Sequence, residues 1–393
     1  MLFVGIDVAK SKHDCCIIDS DGVIITDSLR IPNSKEGFEN LYNTIMSLLG
    51  NAKNIQNVKI GLESTGHYST NITNFLYSKG FSITVLNPLV TNAFRKAGTL
   101  RKTKTDKCDA KVIATMLFSD KSKSYSPSSY QIQELKSLTR HRYRMIGYRS
   151  KLKLSVTRLI DIIFPELPGF VWSIHQSSSY QLLLDLPSPE AIANCHLTHL
   201  TNVISKSSRG KYGKEKAVQL RELAANSIGS SNRSLTFELQ QTIRLIQAVQ
   251  NEIDELDRQI KLVVDELNTP LLTIPGIGYT IAAIVLAEIG DINNFSSPAK
   301  LLAFAGMEPS TYQSGKYNAS NTPMVKRGST YLRWAIMQAA RLVSMRDSTF
   351  ATYMAKKRAE GKHFNVAQSH VGKKLIRVIY YILKHNTAFV PQM

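Results

Sequence analysis

Two aspartates, Asp106 and Asp109, sit three residues apart in RKTKTDKCDAKVIA (residues 101–114), among Arg101, Lys102, Lys104, Lys107 and Lys111. Acids seated among cations either balance charge or hold a metal ion beside a phosphate. Two more acids stand out in apolar surroundings. Asp7 lies inside the run LFVGIDVA, and Glu63 ends VKIGLES just before a Ser-Thr-Gly turn. A lone charge in an apolar strand costs several kcal/mol unless something compensates it. On one helix, Asp106 and Asp109 share a face. Four carboxylates brought together would repel one another unless cations neutralise them, and their hard oxygens suit Mg²⁺ or Mn²⁺. Two such ions about 4 Å apart can clamp the attacking and leaving oxygens of a phosphodiester. The cations of the same segment would then hold flanking phosphates. Each acid taken alone has an ordinary reading. Asp106 serves equally as a helix cap or first-turn acid, and Asp7 as a strand-end residue. The joint pattern is what points to chemistry.

Charge identifies a class of partner. The net charge of +19 is concentrated in residues 93–158 (net +13) and 300–393 (net +12), and the remainder is net −6. Two basic blocks around an acidic middle suggest two surfaces meeting one polyanion. The four cysteines have no C-x-x-C spacing, and no signal peptide or long apolar span is visible. The expectation is a reduced, soluble, cytoplasmic protein with no thiolate metal site and no membrane partner.

The elements that must position the acids can be read in order. LFVGIDVA, DCCIID and GVIITDSL read as three tightly joined strands. A helix follows over NSKEGFENLYNTIMSLLG, with Asn33 and Glu36 fitting a capping box and Gly50 a stop. VKIGLES is a fourth strand, YSTNITNFLYSKG a second helix and FSITVLN a fifth strand ended by Pro88. The order β-β-β-α-β-α-β-α is that of an RNase H-like fold, in which the first and fourth strands are central neighbours. Asp7 and Glu63 would then face each other, with a helix bringing Asp106 and Asp109 over them. Residues 128–165 read as a long basic helix or helix pair. Residues 166–215 carry no recognisable motif. Leu235, Leu239, Thr242, Ile246, Val249, Ile253, Leu256, Ile260, Val263 and Leu267 form a heptad seam with one polar member. This predicts a coiled coil with residues 128–165 of the same chain or with a second chain. From Pro270 the chain reads as helical, with a loop at about 308–329. LLTIPGIGYTIAAIVLAEIGD resembles a helix-hairpin-helix. Gly276 and Gly278 would let backbone N–H groups face a phosphate, or simply make a packing corner.

GIDVAK, ESTG and KTDKCDA resemble the three signature segments of the DEDD insertion-sequence transposases, the one-ten family that includes the pilin-gene inversion recombinase. FAGMEPSTYQSGKYNASNTPMVKRGSTYLRWA resembles the family's second block. The resemblance implies that Asp7, Glu63, Asp106 and Asp109 are the metal-binding catalytic tetrad of a RuvC-like domain. It also implies that Ser314 is a nucleophile forming a covalent phosphoserine, with Ser310 and Thr311 as nearby alternatives. A serine in a Gly-flanked loop can approach a phosphate closely, yet its hydroxyl needs activation. Lys316, Lys326, Arg327 and Arg333 read as phosphate contacts or as a solvated basic helix start. The domains implied are 1–125 (RuvC-like), 126–268 (basic helix, insert and coiled-coil connector) and 269–393 (transposase domain). The partners implied are double-stranded DNA of the element ends and target, a noncoding bridge RNA, and a homodimer that assembles to a tetramer. The setting would be the nucleoid of a bacterium or archaeon. Two rivals remain: a metal-only nuclease similar to a junction resolvase, and a noncatalytic nucleic-acid scaffold.

Overall fold

The computed structural model describes residues 1–50, 54–63, 67–86, 88–98, 106–119, 130–310, 313–314, 317–318 and 322–391. The chain divides into two compact units, Met1–Pro127 and Ser128–Met393. Among the described residues no helix is long and apolar enough to cross a membrane.

The first unit is built on five strands: β1 (Leu2–Val8), β2 (Lys12–Ile18), β3 (Ile24–Pro32), β4 (Val58–Glu63) and β5 (Ser82–Leu86). Their order in the sheet is β3-β2-β1-β4-β5. The first three strands are antiparallel, and β1, β4 and β5 run parallel. Four helices interleave: α1 (Lys35–Leu48), α2 (Ser69–Ser78), α3 (Pro88–Gly98) and α4 (Asp106–Ser119). Side chains alternate across a strand, so each strand serves two cores. Leu2, Val4, Ile6 and Val8 of β1 meet Phe38, Leu41 and Ile45 of α1 and Ile72 and Leu76 of α2. Phe3 looks the other way, toward Ala110, Ala114 and Leu117 of α4. The cap expected at Asn33 is one residue later. Ser34 accepts from the Gly37 amide, and Asn33 instead donates its side-chain amide to the Lys10 carbonyl at 3.0 Å.

How closely α4 approaches the sheet is decided by small residues. A Cβ at Gly5 would overlap the Ala110 carbonyl oxygen and the Ala114 amide nitrogen, both backbone atoms. A Cβ at Gly61 on the next strand would lie 2.7 Å from Cδ1 of Leu117. Gly5 sits at Ala110 and Ala114, and Phe3 meets the later Phe118 ring edge-on at 5.5 Å. The helix therefore runs opposite to β1, and its first turn lies at the C-terminal end of that strand.

The second unit begins with two long helices, α5 (Tyr130–Ile163) and α11 (Arg233–Leu267). Between them come five short ones: α6 (Leu167–Phe170), α7 (Ser177–Asp185), α8 (Pro189–Ala193), α9 (Leu197–Ser207) and α10 (Lys214–Ala225). They occupy the stretch without a recognisable motif. The long helices are antiparallel, because Arg142, Arg149 and Arg158 of α5 bond Asp257, Gln250 and Glu238 of α11 in reverse order. The heptad seam therefore faces α5 of the same chain. Ile243 and Val264 are buried beside it, since α7 covers one end and α12 the other. At mid-length only α5 covers α11, and Val249 and Leu256 are half-exposed. Polar Thr242 is answered within its own helix, donating to the Glu238 carbonyl at 2.7 Å. The unit continues with α12 (Tyr279–Ile289), α13 (Pro298–Phe304), a two-stranded hairpin of β6 (Gln313–Ser314) and β7 (Tyr317–Asn318), then α14 (Thr330–Arg346), α15 (Ser348–Ala359) and α16 (Phe364–His385). Gly276, with φ 92°, abuts the backbone of Leu342 and Val343, so this corner is used for packing on α14.

These contacts rank two substitutions. Gly5→Ala collides with stiff backbone and should cost about 3 kcal/mol, the upper end for overpacking, whereas Gly61→Ala meets a Leu tip that can rotate and should cost about 1. Urea unfolding of the full chain checks the order; equal losses would show that α4 does not sit in this notch.

Candidate active site

Hydrogen-bonded register assembles a row of side chains across one face of the sheet. Asp7 is opposite Asp14, and Asp14 is opposite Arg30. The last paired residues of β1 and β4 are Ile6 and Leu62, so Asp7 and Glu63 are the next residues on adjacent parallel strands. Glu63 is opposite Leu86. The row reads Arg30, Asp14, Asp7, Glu63, Leu86, on the face that α4 covers. Neighbouring strands lie about 5 Å apart, so three carboxylates stand side by side. Asp7 and Glu63 are half-buried. Asp14 is buried, and its nearest cations are only at the edge of ion-pair range, Lys12 at 3.7 Å and Arg30 at 3.9 Å. The first turn of α4 brings the backbone of Asp106 and Asp109 to this end of the sheet. Asp109 accepts from Arg95 of α3 at 3.4 Å, and Arg95 also donates to Asn92 at 2.8 Å.

Among the described residues no three His, Cys, Asp or Glu side chains form a group able to hold a metal ion. The side chain of Asp106 lies outside the described residues. So do those of Lys107 and Ser314, and all of Arg101, Lys102, Lys104, Thr311 and Lys316. The donors that are described are oxygens, which fit a hard divalent cation rather than a soft one. Cys15 is held as a thiol, because burial pushes its pKa up and the neighbouring Cys16 and Asp14 push it further.

In the second unit the loop before α14 has a rigid base. Its two arms are zipped by backbone bonds. Ser310 N donates to Pro323 O (2.8 Å), Val325 N to Glu308 O (3.0 Å), Lys326 N to Gly306 O (3.0 Å) and Ser329 N to Phe304 O (2.9 Å). A Cβ at Gly306 would overlap the Arg327 carbonyl, and one at Gly328 the Phe304 carbonyl. Arg333 spans the base, donating Nη1 to the carbonyls of Ala305 (3.3 Å) and Lys326 (3.2 Å). Lys326 and Arg327 are exposed. Beyond the stem, β6 and β7 pair Ser314 with Tyr317. Earlier in the same unit, Gly278 opens α12, with open space where a Cβ would stand.

What anchors the stem is Glu288. Its side chain is 3% exposed, and Arg140 of α5 grips it with two bonds, Nε–Oε1 at 2.9 Å and Nη2–Oε2 at 3.1 Å. Ser329 donates to the same carboxylate at 2.7 Å and caps α14 by accepting from the Leu332 amide. Sequence reading missed this group, as it missed Asp14 and Arg95. The signal for Glu288 is a single charge in the otherwise apolar TIAAIVLAEI, a buried acid in need of a cation.

Comparison with known proteins adds to this geometry. Residues 4–165 match a family model described as a transposase, DEDD type of IS110, and residues 268–355 match one described as transposase IS116/IS110/IS902 family. The two matches fall on the acid-bearing sheet and on the serine-bearing hairpin, in order along the chain. The chain belongs to this transposase family. Its full-length relatives include the insertion element IS116 uncharacterized 44.8 kDa protein of Streptomyces clavuligerus, 23% identical, covering 99% of this chain and 96% of the relative. The pilin gene-inverting protein of Moraxella bovis is also 23% identical, with 98% and 97% covered. A transposase for insertion sequence element IS1328 of Yersinia enterocolitica is 31% identical over 147 residues, 35% of this chain and 42% of the relative. The IS110 family makes this an insertion-sequence transposase or recombinase, a DNA-processing enzyme.

The buried pair gives a second test. Arg140→Ala takes the two guanidinium bonds from buried Glu288 and should cost about 3 kcal/mol. Arg142→Ala, whose partner Asp257 is 36% exposed, should cost about 1 or less. Chemical denaturation of the full chain compares them.

Proposed function

We propose that this IS110-family chain cuts and rejoins DNA strands through a phosphoserine at Ser314, with Asp7, Glu63, Asp106 and Asp109 holding Mg²⁺ or Mn²⁺. The observation that carries the reading is the row of carboxylates on adjacent strands beneath the first turn of α4. Such a row is costly in a unit with no use for it, and it is the donor set a hard cation takes. The sheet order supports an RNase H-like, RuvC-like assignment for this unit. When bound, the metal would supply electrostatic stabilisation of charge on the scissile phosphate.

The chain's own residues do the rest. The Ser314 oxygen attacks phosphorus as the P–O bond to the deoxyribose breaks. The serine proton leaves, and the departing deoxyribose oxygen takes one up. One phosphoester replaces another, so rejoining by the reverse step needs no energy source. Arg101, Lys102, Lys104, Lys107, Lys316, Lys326 and Arg327 bind flanking phosphates. Arg333 would act here mainly by holding the arms of the hairpin together. Gly278 leaves room for a backbone phosphate at the start of α12. Arg95 supplies positive charge beside Asp109. The two basic blocks suit element-end and target DNA together with a bridge RNA. Protomers would act as a homodimer that pairs into a tetramer.

The test is a trap. Denaturing gels of the protein with element-end DNA and Mg²⁺ should show a covalent adduct, and mass spectrometry should put the nucleotide on Ser314. Ser314→Ala should abolish the adduct, and Asp7→Ala should lower cleavage by at least about 10²-fold. Efficient cleavage with no adduct would assign the reaction to water and a metal-only nuclease. Full activity of Asp7→Ala would remove the acids from the mechanism.

A further inference from the structure

Three aromatic side chains crowd the base of the serine-bearing hairpin. Tyr143 of α5 lies 5.1 Å from Tyr331 and 6.4 Å from Trp334 of α14, centroid to centroid, at interplanar angles of 82° and 80°. Tyr143 is 48% exposed and Trp334 37%. Edge-on packing covers one face at each contact, and the exposure of Tyr143 and Trp334 shows that part of each ring stays open. The group is rigidly held. The Arg140 guanidinium lies 4.9 Å over the Tyr331 ring and is itself locked by Glu288. Ser329, two residues before Tyr331, bonds the same carboxylate. Further cations lie on the same elements. Arg144 adjoins Tyr143 on α5, Arg327 is in the stem, and Arg341 lies two turns beyond Trp334; all three are exposed.

A phosphate backbone alone has no use for exposed ring faces, since salt links suffice for it. Unpaired bases do use them, stacking on aromatic side chains inside a basic groove. The geometry points to Tyr143 and Trp334 as a stacking platform for an unpaired DNA base next to the phosphate that the hairpin serine attacks. This rests on the reading of Ser314 as nucleophile. Strand exchange must take a cut strand out of its duplex, and a stacked base would hold the freed end beside the site. Charge complementarity favours nucleic acid over an apolar protein partner, because Arg140 lies over Tyr331 and exposed arginines occupy the same helices and stem.

The experiment isolates Trp334 as a reporter. The chain has two tryptophans, so Trp172→Phe with Ser314→Ala leaves one tryptophan, excited selectively over tyrosine, and no chemistry. The probes are a paired DNA duplex, the same duplex with a one-nucleotide gap that frees a base, the gapped duplex with an abasic site there, and RNA of the same sequence. Trp334 emission should be quenched by the gapped duplex and not by the paired or abasic ones. Tyr143→Ala should weaken gapped-duplex binding about 5- to 150-fold, the range for loss of one base stack, and Tyr143→Phe should restore it. Equal quenching by paired and abasic DNA overturns the platform, as does tight binding without quenching. Quenching by RNA alone overturns the assignment to DNA. A concentration-dependent emission change without nucleic acid would make the rings a contact between copies, also against the proposal. Quenching with no Ser314 adduct in active protein would leave the platform standing and remove only the serine reading.

Discussion

Glu288 lies where a carboxylate cannot remain charged without being answered. Desolvating an ion costs several kcal/mol even after relaxation, and the cost is offset only by close partners with good geometry. Here the answer comes from two directions. Arg140 reaches in from a helix 148 residues earlier, and Ser329 reaches back from the start of α14. The requirement to satisfy one buried acid therefore fixes three helices at once. It sets the rotation of α5, the depth of α12 and the starting point of α14. The hairpin stem inherits that placement, because Ser329 is also the residue whose amide closes the stem on Phe304.

The first unit solves a related problem by leaving atoms out. Carboxylates on adjacent strands repel, and they become useful only if a further group is brought within a bond length or two of a shared cation. A helix carrying ordinary side chains against the sheet would stand about 10 Å off. Gly5 beneath Ala110 and Ala114 removes that spacer, and the first turn of α4 descends toward Asp7 and Glu63. Electrostatic cost and steric economy are thus linked: the notch is what makes the acids neighbours of α4 rather than merely of each other.

Much of this was legible in the sequence because the signals were local. Asp7 and Glu63 each interrupt a short apolar run, and the three-apart spacing of Asp106 and Asp109 marks one helix face. The element order followed from strands bounded by Gly and Pro. The cap was misplaced by one residue because Asn33 and Ser34 are equally good caps, and only the backbone geometry decides. Glu288 was passed over because its partner is remote in sequence, so nothing near it announces a pair. Asp14 was hidden for the opposite reason. It sits beside Lys12 and reads as an edge residue, although its strand lies between two others. The segment 166–215 yielded nothing because helices of four to eleven residues are too short for a period to emerge. The heptad stripe was real as a pattern, but only packing could tell that α5 fills it.

The antiparallel return of α11 along α5 has an evolutionary consequence. A chain that leaves along one helix and comes back along its partner delivers the next segment to the same place whatever happens at the far tip. The lobe of α6 to α10 packs on that tip, around a core it shares with the ends of α5 and α11. Insertions, deletions and sequence drift in the loops there are absorbed locally, while the hairpin keeps its place at the start of α14. Neither family model extends over residues 166–267. That is the stretch where lineages of such an element could vary most freely, and where one copy could come to differ from another without losing its chemistry.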